Sequence, residues 1–289
     1  MANKKNGQTA FNVAAARLIE QYQYKEIRLF TDPVIKNFFN WPIRFLMKFK
    51  IIRDWIIRFS DNKTKGIFGS QICRTKYIDD SLQAAIENGI GQVVILGAGL
   101  DTRPYRLPGR GQIKFFEVDM PSIQEYKKKK VENYLGSLPG NVVFIPIDFN
   151  IQTLDEVFTG KGLDFSKPVV YIWEGVTPYI TEEAVSNTLR FISRSSPGSI
   201  VVFTYILKSV VEKNSDIEGA NELVKYLEKY GIIWHFGLDP LQVEDFLQQF
   251  NLNLVEDMGA SFYQEQYLKP LGRRLEVSEI ERIAYARVI

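Results

Sequence analysis

Gly97, Gly99 and Asp119 are the residues whose types and spacing most directly suggest chemistry in this chain. The two glycines follow the apolar run Gln92-Val93-Val94-Ile95-Leu96. Asp119 closes a second apolar stretch at Glu117-Val118-Asp119. A glycine has no Cβ, so the backbone can turn tightly at 97 and 99 and lie against a ligand. A carboxylate at the end of the following strand can accept hydrogen bonds from both hydroxyls of a ribose. Strand, glycine turn and strand-end acid together form the layout of an adenosine site in an α/β protein. Asp119 has a plainer alternative, capping a helix that begins at Pro121. Glu117 leaves the same sheet face two residues earlier and could support the ribose or the loop.

The same stretch argues against a pyrophosphate. A dinucleotide fingerprint needs a third glycine and a regular helix whose N-terminus meets the phosphates. Here Thr102 stands at the third-glycine position, and Pro104, Pro108 and Gly109 interrupt the expected helix. Interior proline costs a helix about 3 kcal/mol. One helical turn and a loop are expected instead, which suits an adenosine ligand without phosphates. S-adenosylmethionine is the common one, and a nicotinamide dinucleotide is disfavoured.

Other strand ends add candidates. Glu174 follows the apolar run 168–173, and strand ends line the ligand crevice of open α/β sheets. Its carboxylate is placed to face the amino group of the cofactor's amino-acid tail, or is simply satisfied by backbone. Thr177 and Tyr179 come just after it and are candidates to touch substrate. His235 is the only histidine. It is a candidate general base, against the blander reading of a loop residue packed beside Trp234.

Four segments in order, GAGLDTRPYRL, FFEVDMPSIQEYK, IPIDFN and WEGVTPYI, resemble the leucine carboxyl methyltransferase family. The similarity continues through FGLDPLQVEDFLQQFNLNLVEDMG to the terminal EIERIAYARVI, so it spans roughly Thr31 to Ile289. That family includes many bacterial and archaeal proteins of unknown substrate and some polyketide O-methyltransferases. The resemblance implies that Asp148 faces the adenine amino group, with the backbone N–H of Phe149 on a ring nitrogen. Phe149 stands where the family usually has leucine. The alternative for Asp148 is a cap on a helix near Gln152. The resemblance also implies that Arg74, in SQICRTKYIDDSL, holds the cofactor carboxylate, as a guanidinium can with two parallel N–H bonds. Lys76 and Arg103 are weaker candidates, read mainly as structural.

These residues need a scaffold. Apolar runs bounded by Gly, Pro, Asn or Asp predict strands near 92–97, 112–118, 141–147, 168–173 and 199–205. Helices are predicted near 121–135, 151–159, 181–195, 216–230 and 239–250. Residues 10–90 read as helical, with Thr31-Asp32-Pro33 a start signal, and residues 1–8 as lacking regular structure. Leu252–Met258 and Arg282–Ile289 read as two more strands around a helical insert near 262–271. Strand–helix alternation implies a parallel sheet with right-handed crossovers. The expected architecture is a single Rossmann-like α/β domain of the class I methyltransferase type. It has a mostly parallel seven-stranded sheet, its last strand antiparallel. Residues 1–90 form an N-terminal helical lid over a cofactor-binding core at 91–289.

Composition narrows the function classes. Hydrophobic content of 45% and charged content of 24% are ordinary for a globular chain. A net charge of +2 suggests no polyanion partner, and so no nucleic acid. One cysteine, Cys73, excludes an internal disulfide and fits a reducing, cytoplasmic setting. One Cys and one His argue against a zinc or iron–sulfur site. No secretory h-region opens the sequence, and no uncharged run reaches about 18 residues, so no transmembrane segment is expected. Lys127–Lys130 reads as the solvated face of a helix. Residues 38–59, FFNWPIRFLMKFKIIRDWIIRF, are aromatic, apolar and basic. They are read as lid helices closing a substrate pocket, with contact to a membrane surface as the alternative.

The expected function is methyl transfer from S-adenosylmethionine to a carboxylate or other acidic oxygen of a small molecule. The sulfonium makes the methyl electrophilic. The protein must hold the acceptor in line, about 3 Å away. A carboxylate with a pKa near 4 needs no base at pH 7. Two alternatives stay open: a protein's C-terminal carboxylate as acceptor, or a sensor on the same fold that binds the cofactor without catalysis.

Overall fold

The computed structural model describes residues 2–62, 64–149 and 151–289. Asn150 of the IPIDFN segment lies outside them. The helices α1 (Ala2–Glu20), α2 (Trp41–Leu46), α3 (Lys50–Asp61) and α4 (Ile67–Glu87) come first. The alternating region follows: β1 (Gln92–Leu96), α5 (Arg103–Arg106), β2 (Lys114–Asp119), α6 (Pro121–Leu135), β3 (Val142–Pro146), α7 (Leu154–Phe158) and β4 (Val170–Trp173). It continues through α8 (Glu182–Ile192), β5 (Ile200–Ile206), α9 (Lys208–Val211), α10 (Ala220–Lys229) and α11 (Val243–Gln248). The chain closes with β6 (Leu252–Met258), α12 (Ala260–Tyr263) and β7 (Glu281–Val288).

All seven strands form one sheet in the order β3-β2-β1-β4-β5-β7-β6. Strands β1 to β5 pair in parallel, and β7 runs antiparallel to both β5 and β6. This is the sheet the sequence predicts. β1 is buried along its whole length because it is covered on both faces, as central parallel strands are. Its alternation sorts its side chains into two layers: Val93 and Ile95 join the core under α1 and α4, Val94 and Leu96 the core under α7, α8 and α11.

Local chemistry sets the helix ends. α6 has Pro121 at its start and ends on Gly136 at φ 83°, the left-handed position that relieves a helix terminus. α7 begins with a capping box in which Thr153 and Glu156 each satisfy the other's backbone N–H. That cap begins the helix later than 151. The β1-to-β2 crossover contains the single turn α5 and a short 3₁₀ turn at 110–112, as the prolines required.

Three expectations need correction. The first helix runs from Ala2, so residues 2–8 are not without regular structure. Thr31-Asp32-Pro33 starts only a 3₁₀ turn, Ile35–Phe38. Asp32 Oδ1 accepts the Ile35 N–H at 3.1 Å, but Oδ2 is committed to buried partners described below. Lys127 is buried rather than solvated. Its ammonium pairs with Glu117 at 2.7 Å and donates to the Ala98 carbonyl at 3.2 Å.

Candidate active site

A cavity of about 370 Å³ lies at the carboxyl ends of β1 to β5. That size is normal for a small-molecule site. The strand order explains its position, because the chain reverses direction across the sheet between β1 and β4 and leaves a crevice at that switch point.

Gly97, Gly99, Asp119, Asp148, Phe149 and Glu174 all line the cavity, and so do Arg74 and Tyr179. The glycines, Asp119, Asp148, Phe149 and Glu174 follow the ends of four adjacent strands, so the sheet brings them into a row, while α4 supplies Arg74 and the loop after β4 supplies Tyr179. Gly97 has φ +68°, and a Cβ there would come within 2.1 Å of the Val176 side chain. The glycine therefore lets the loop after β1 pack against the loop after β4. Gly99 has φ +41°, and its N–H donates to Asp119 Oδ2. The Met120 N–H donates to Asp119 Oδ1 at 2.6 Å. Burial pushes the Asp119 carboxyl above its ordinary pKa, against the pull of those two N–H groups. Asp119 is not the cap of α6, whose N-cap is Met120 without a side-chain bond. Thr153 rather than Asp148 caps α7.

Glu117 is turned away from the cavity. It is fully buried, accepts the Tyr105 hydroxyl at 2.8 Å and pairs with Lys127. Because Lys127 also holds the Ala98 carbonyl, Glu117 supports the glycine loop from behind. His235 is exposed and does not line the cavity, so the structure gives no support to its candidacy as a base. Its backbone N–H donates to the Pro178 carbonyl at 2.7 Å, fastening the segment that presents Trp234 to the cavity.

Arg74 and Glu174 meet each other. Arg74 Nε donates to Glu174 Oε1 at 2.8 Å, and its Nη1 donates to both oxygens of Glu281, at 2.7 and 2.6 Å. Glu174 Oε2 accepts from Arg103 Nη1 at 3.0 Å. Burial alone would raise the Glu174 pKa, but Arg103 and Arg74 override it and hold the carboxyl below its usual range.

Behind this pair lies a buried ionic network that sequence reasoning missed. Arg103 also binds Asp79, at 2.8 Å from its Nε, and Asp101. Asp79 takes Arg106 at 2.8 Å. Asp32, fully buried, pairs with Arg17 and accepts the Thr102 hydroxyl at 2.7 Å. Burial pushes the Asp101 and Asp32 carboxyls up, and neighbouring guanidiniums pull both below their normal values. The segment Asp101-Thr-Arg-Pro-Tyr-Arg106 was legible as a motif. Its partners Arg17, Asp32 and Asp79, and Glu281 on Arg74, are scattered along the chain, and no local pattern marks them.

The remaining wall is apolar. Val176, Pro178, Tyr179 and Ile180 come from the loop after β4, and Ile206 ends β5. Leu223 and Leu227 on α10 and Ile232 and Trp234 after it complete this side. The N-terminal cover is α1, through Ala10, Asn12, Val13 and Arg17, together with Thr64 and Ile67. None of residues 38–59 lines the cavity, so their expected role as its lid is not what the fold gives them. They pack elsewhere: Phe38 contacts Tyr126 of α6, and Ile52, Ile56 and Ile57 lie against the core.

The sheet order and strand-end site define a class I methyltransferase fold. Comparison with known proteins agrees. Residues 10–193 match the family described as leucine carboxyl methyltransferase. A Bacillus subtilis (strain 168) protein named "Putative S-adenosyl-L-methionine-dependent methyltransferase YktD" is 25% identical over 273 residues, 94% of this chain and 84% of that one. A similarly named Streptomyces avermitilis protein is 30% identical over 210 residues, 71% of each chain. Among solved structures, a Thermobifida fusca protein described as "a putative methyltransferase" superposes with a TM-score of 0.59 at 16% identity, covering 83% of this chain and 89% of that one. A DUF574 family protein of Streptomyces avermitilis gives 0.56 at 13%, covering 82% and 91%. The chain belongs to the leucine carboxyl methyltransferase family, which places it among the S-adenosylmethionine-dependent methyltransferases.

Proposed function

We propose that this protein transfers a methyl group from S-adenosylmethionine to a carboxylate or similarly acidic oxygen of an apolar small molecule. The observation that carries the reading is the division of one cavity along the sheet. Acids and glycines stand at the ends of β3, β2, β1 and β4, and apolar side chains at β4 and β5. With strands about 4.8 Å apart, three strand gaps extend about 14 Å. That is roughly the reach of a nucleoside carrying a short amino-acid tail.

The residues present fit such a ligand. An ionised carboxylate offers about four lone-pair positions. Two backbone N–H groups use two of those on Asp119, which leaves capacity for two ribose hydroxyls. Asp148 and the Phe149 backbone would hold the adenine edge. Glu174 would face the amino group and Arg74 the carboxylate of the tail. Bound there, S-adenosylmethionine supplies a methyl made electrophilic by its sulfonium. The chain's own task is to orient the acceptor and keep water out. The wall of Leu223, Leu227, Ile232 and Trp234 does both for an apolar acceptor. No His or Lys is among the described residues lining the cavity. This supports an acceptor already ionised at neutral pH, since a carboxylic acid with a pKa of about 4 needs no base. Tyr179, which lines the cavity, is the hydroxyl assigned to orient its oxygen.

Incubation with methyl-labelled cofactor, a panel of apolar carboxylic acids and phenols, and a lysate split into protein and small-molecule fractions tests this. Label is expected in small molecules, released as methanol by mild base, as an ester requires. Label confined to the protein fraction would transfer the reading to a C-terminal carboxylate. Cofactor binding without any transfer would make the protein a sensor.

A further inference from the structure

Helices α2 and α3 expose the kind of surface that soluble proteins normally bury. Trp41 is 70% exposed, Ile51 79% and Trp55 64%. Phe45, Phe49 and Phe59 are about half exposed beside them. On α3 the residues Ile51, Trp55 and Phe59 fall at i, i+4 and i+8, so they form one outward stripe. Ile52, Ile56 and Ile57 occupy the inward side and pack on the core. The helix is thus apolar on both faces, and only one of them is used for folding.

The patch is built rather than loose. Buried Arg53 donates to the Met47 carbonyl at 2.7 Å and to the Lys48 carbonyl at 3.0 Å, which clamps the turn between α2 and α3. Buried Met47 anchors that turn. The outer rings are ordered against one another: Trp55 stacks on Phe59 at 5.7 Å, and Phe45 meets Phe49 edge-on at 5.4 Å.

Charge selects the occupant. Apart from buried Arg53, residues 41–59 carry the cations Arg44, Lys48, Lys50 and Arg58 against the single acid Asp54, a net +3 in a chain whose total is +2. Asp54 is itself paired with Lys50 at 2.6 Å. A second copy placed symmetrically on this face would oppose cation to cation. An anionic bilayer offers the complement to both halves of the patch. Tryptophan and phenylalanine settle at the depth of the headgroups, and lysine and arginine meet lipid phosphates. We propose that the α2–α3 face docks this protein on an anionic lipid surface. Docking is peripheral, since among the described residues no helix is long and apolar enough to cross a membrane. It rests on the exposed face alone and is independent of the acceptor proposed above.

Flotation of the full-length protein with vesicles tests it, using phosphatidylcholine alone and an equal mixture of phosphatidylcholine and phosphatidylglycerol. The wild type should float with the mixed vesicles and partition about tenfold less onto phosphatidylcholine, because both the apolar and the charge contributions are needed. Lipids brominated along the acyl chain should quench its tryptophan fluorescence through Trp41 and Trp55. The double variant Trp55→Glu, Phe59→Glu changes only exposed positions. It should retain the wild-type melting temperature and lose at least about tenfold in vesicle binding. The proposal is overturned if the wild type floats with neither vesicle, or if the folded double variant floats as well as the wild type. Self-association that the double variant abolishes, without vesicle binding by the wild type, would assign the face to a second copy and overturn it as well.

Discussion

The two sides of the cavity are built by opposite means. The β3-β2-β1-β4 side is polar, and its groups hold one another: Asp119 by the Gly99 and Met120 N–H groups, Glu174 by Arg74 and Arg103. The β4–β5 side is a set of apolar side chains from the loop after β4, from α10 and from the segment ending at Trp234. A polar wall tolerates few substitutions, because each buried charge depends on its partner. An apolar wall asks only for shape and volume and can be repacked. The difference is the one the proposed function needs: fixed polar contacts for the cofactor and a repackable wall for the acceptor.

The largest effect should come from breaking the polar side at its hub. Arg103→Met leaves Asp79, Asp101 and Glu174 without the guanidinium that joins them. Removing one partner of a buried ion pair typically costs about 3–5 kcal/mol. Urea denaturation should show a loss of that order, and a loss under 1 kcal/mol, as at an ordinary surface position, would show that the network is not a structural unit.

Acid should weaken the same side more gradually. Asp32, Asp101 and Glu174 have folded pKa values held below the ordinary carboxylate range, because arginines outweigh burial. The unfolded chain therefore takes up protons first as pH falls through about 4. Stability from these groups is complete above that window and is lost below it. Glu117 and Asp119 are shifted upward by burial and act in the opposite sense, which softens the slope. Denaturation midpoints measured from pH 7 to pH 3.5 should fall, and fall less steeply in any folded variant lacking Asp101. A flat profile would contradict the network's charged state.

Asp119→Ala should come next, with a smaller loss of stability than Arg103→Met, because the Gly99 and Met120 N–H groups lose their acceptor, and a large change in cofactor affinity. A hydrogen bond to a charged group is worth about 1.5–3 kcal/mol, so calorimetry should show S-adenosylmethionine binding weakened about tenfold or more. Equal affinity in a folded variant would remove Asp119 from the site. The smallest effect is expected on the apolar side. Trp234→Ala should leave cofactor affinity within about twofold and lower kcat/KM for the acceptor by about tenfold, since it removes wall area and not a charged contact. A variant that loses cofactor affinity instead would erase the distinction between the two sides.

Legibility in the sequence followed the same division. Gly97, Gly99, Asp119 and Glu174 were readable because each sits at the end of an apolar run, where parallel strands deliver their ligands, and Asp148 was named through the family resemblance. The apolar wall was not readable, since Leu223, Leu227 and Ile232 look like any helix or loop hydrophobe until the fold directs them inward. His235 shows the converse: its chemistry drew notice, and the fold placed it outside the cavity.

What the sequence determined by itself was the order and type of the elements. Apolar runs bounded by Gly, Pro, Asn or Asp marked the five parallel strands, the two closing segments also read as strands, and the interrupted crossover at Pro104 and Pro108 excluded a regular helix after the glycine turn. Those signals are local, carried by neighbouring residues. The tertiary structure alone decided which charges became buried partners. Arg17, Asp32, Asp79, Arg103 and Glu281 are far apart in the chain and meet only when α1, α4, α5 and β7 converge. It also decided the fate of two apolar helical segments. α1 lines the cavity, while α3, which reads as the stronger lid candidate, turns its Trp55 stripe to solvent. Hydrophobicity says that a surface seeks cover, and only the packed molecule shows which cover it has found.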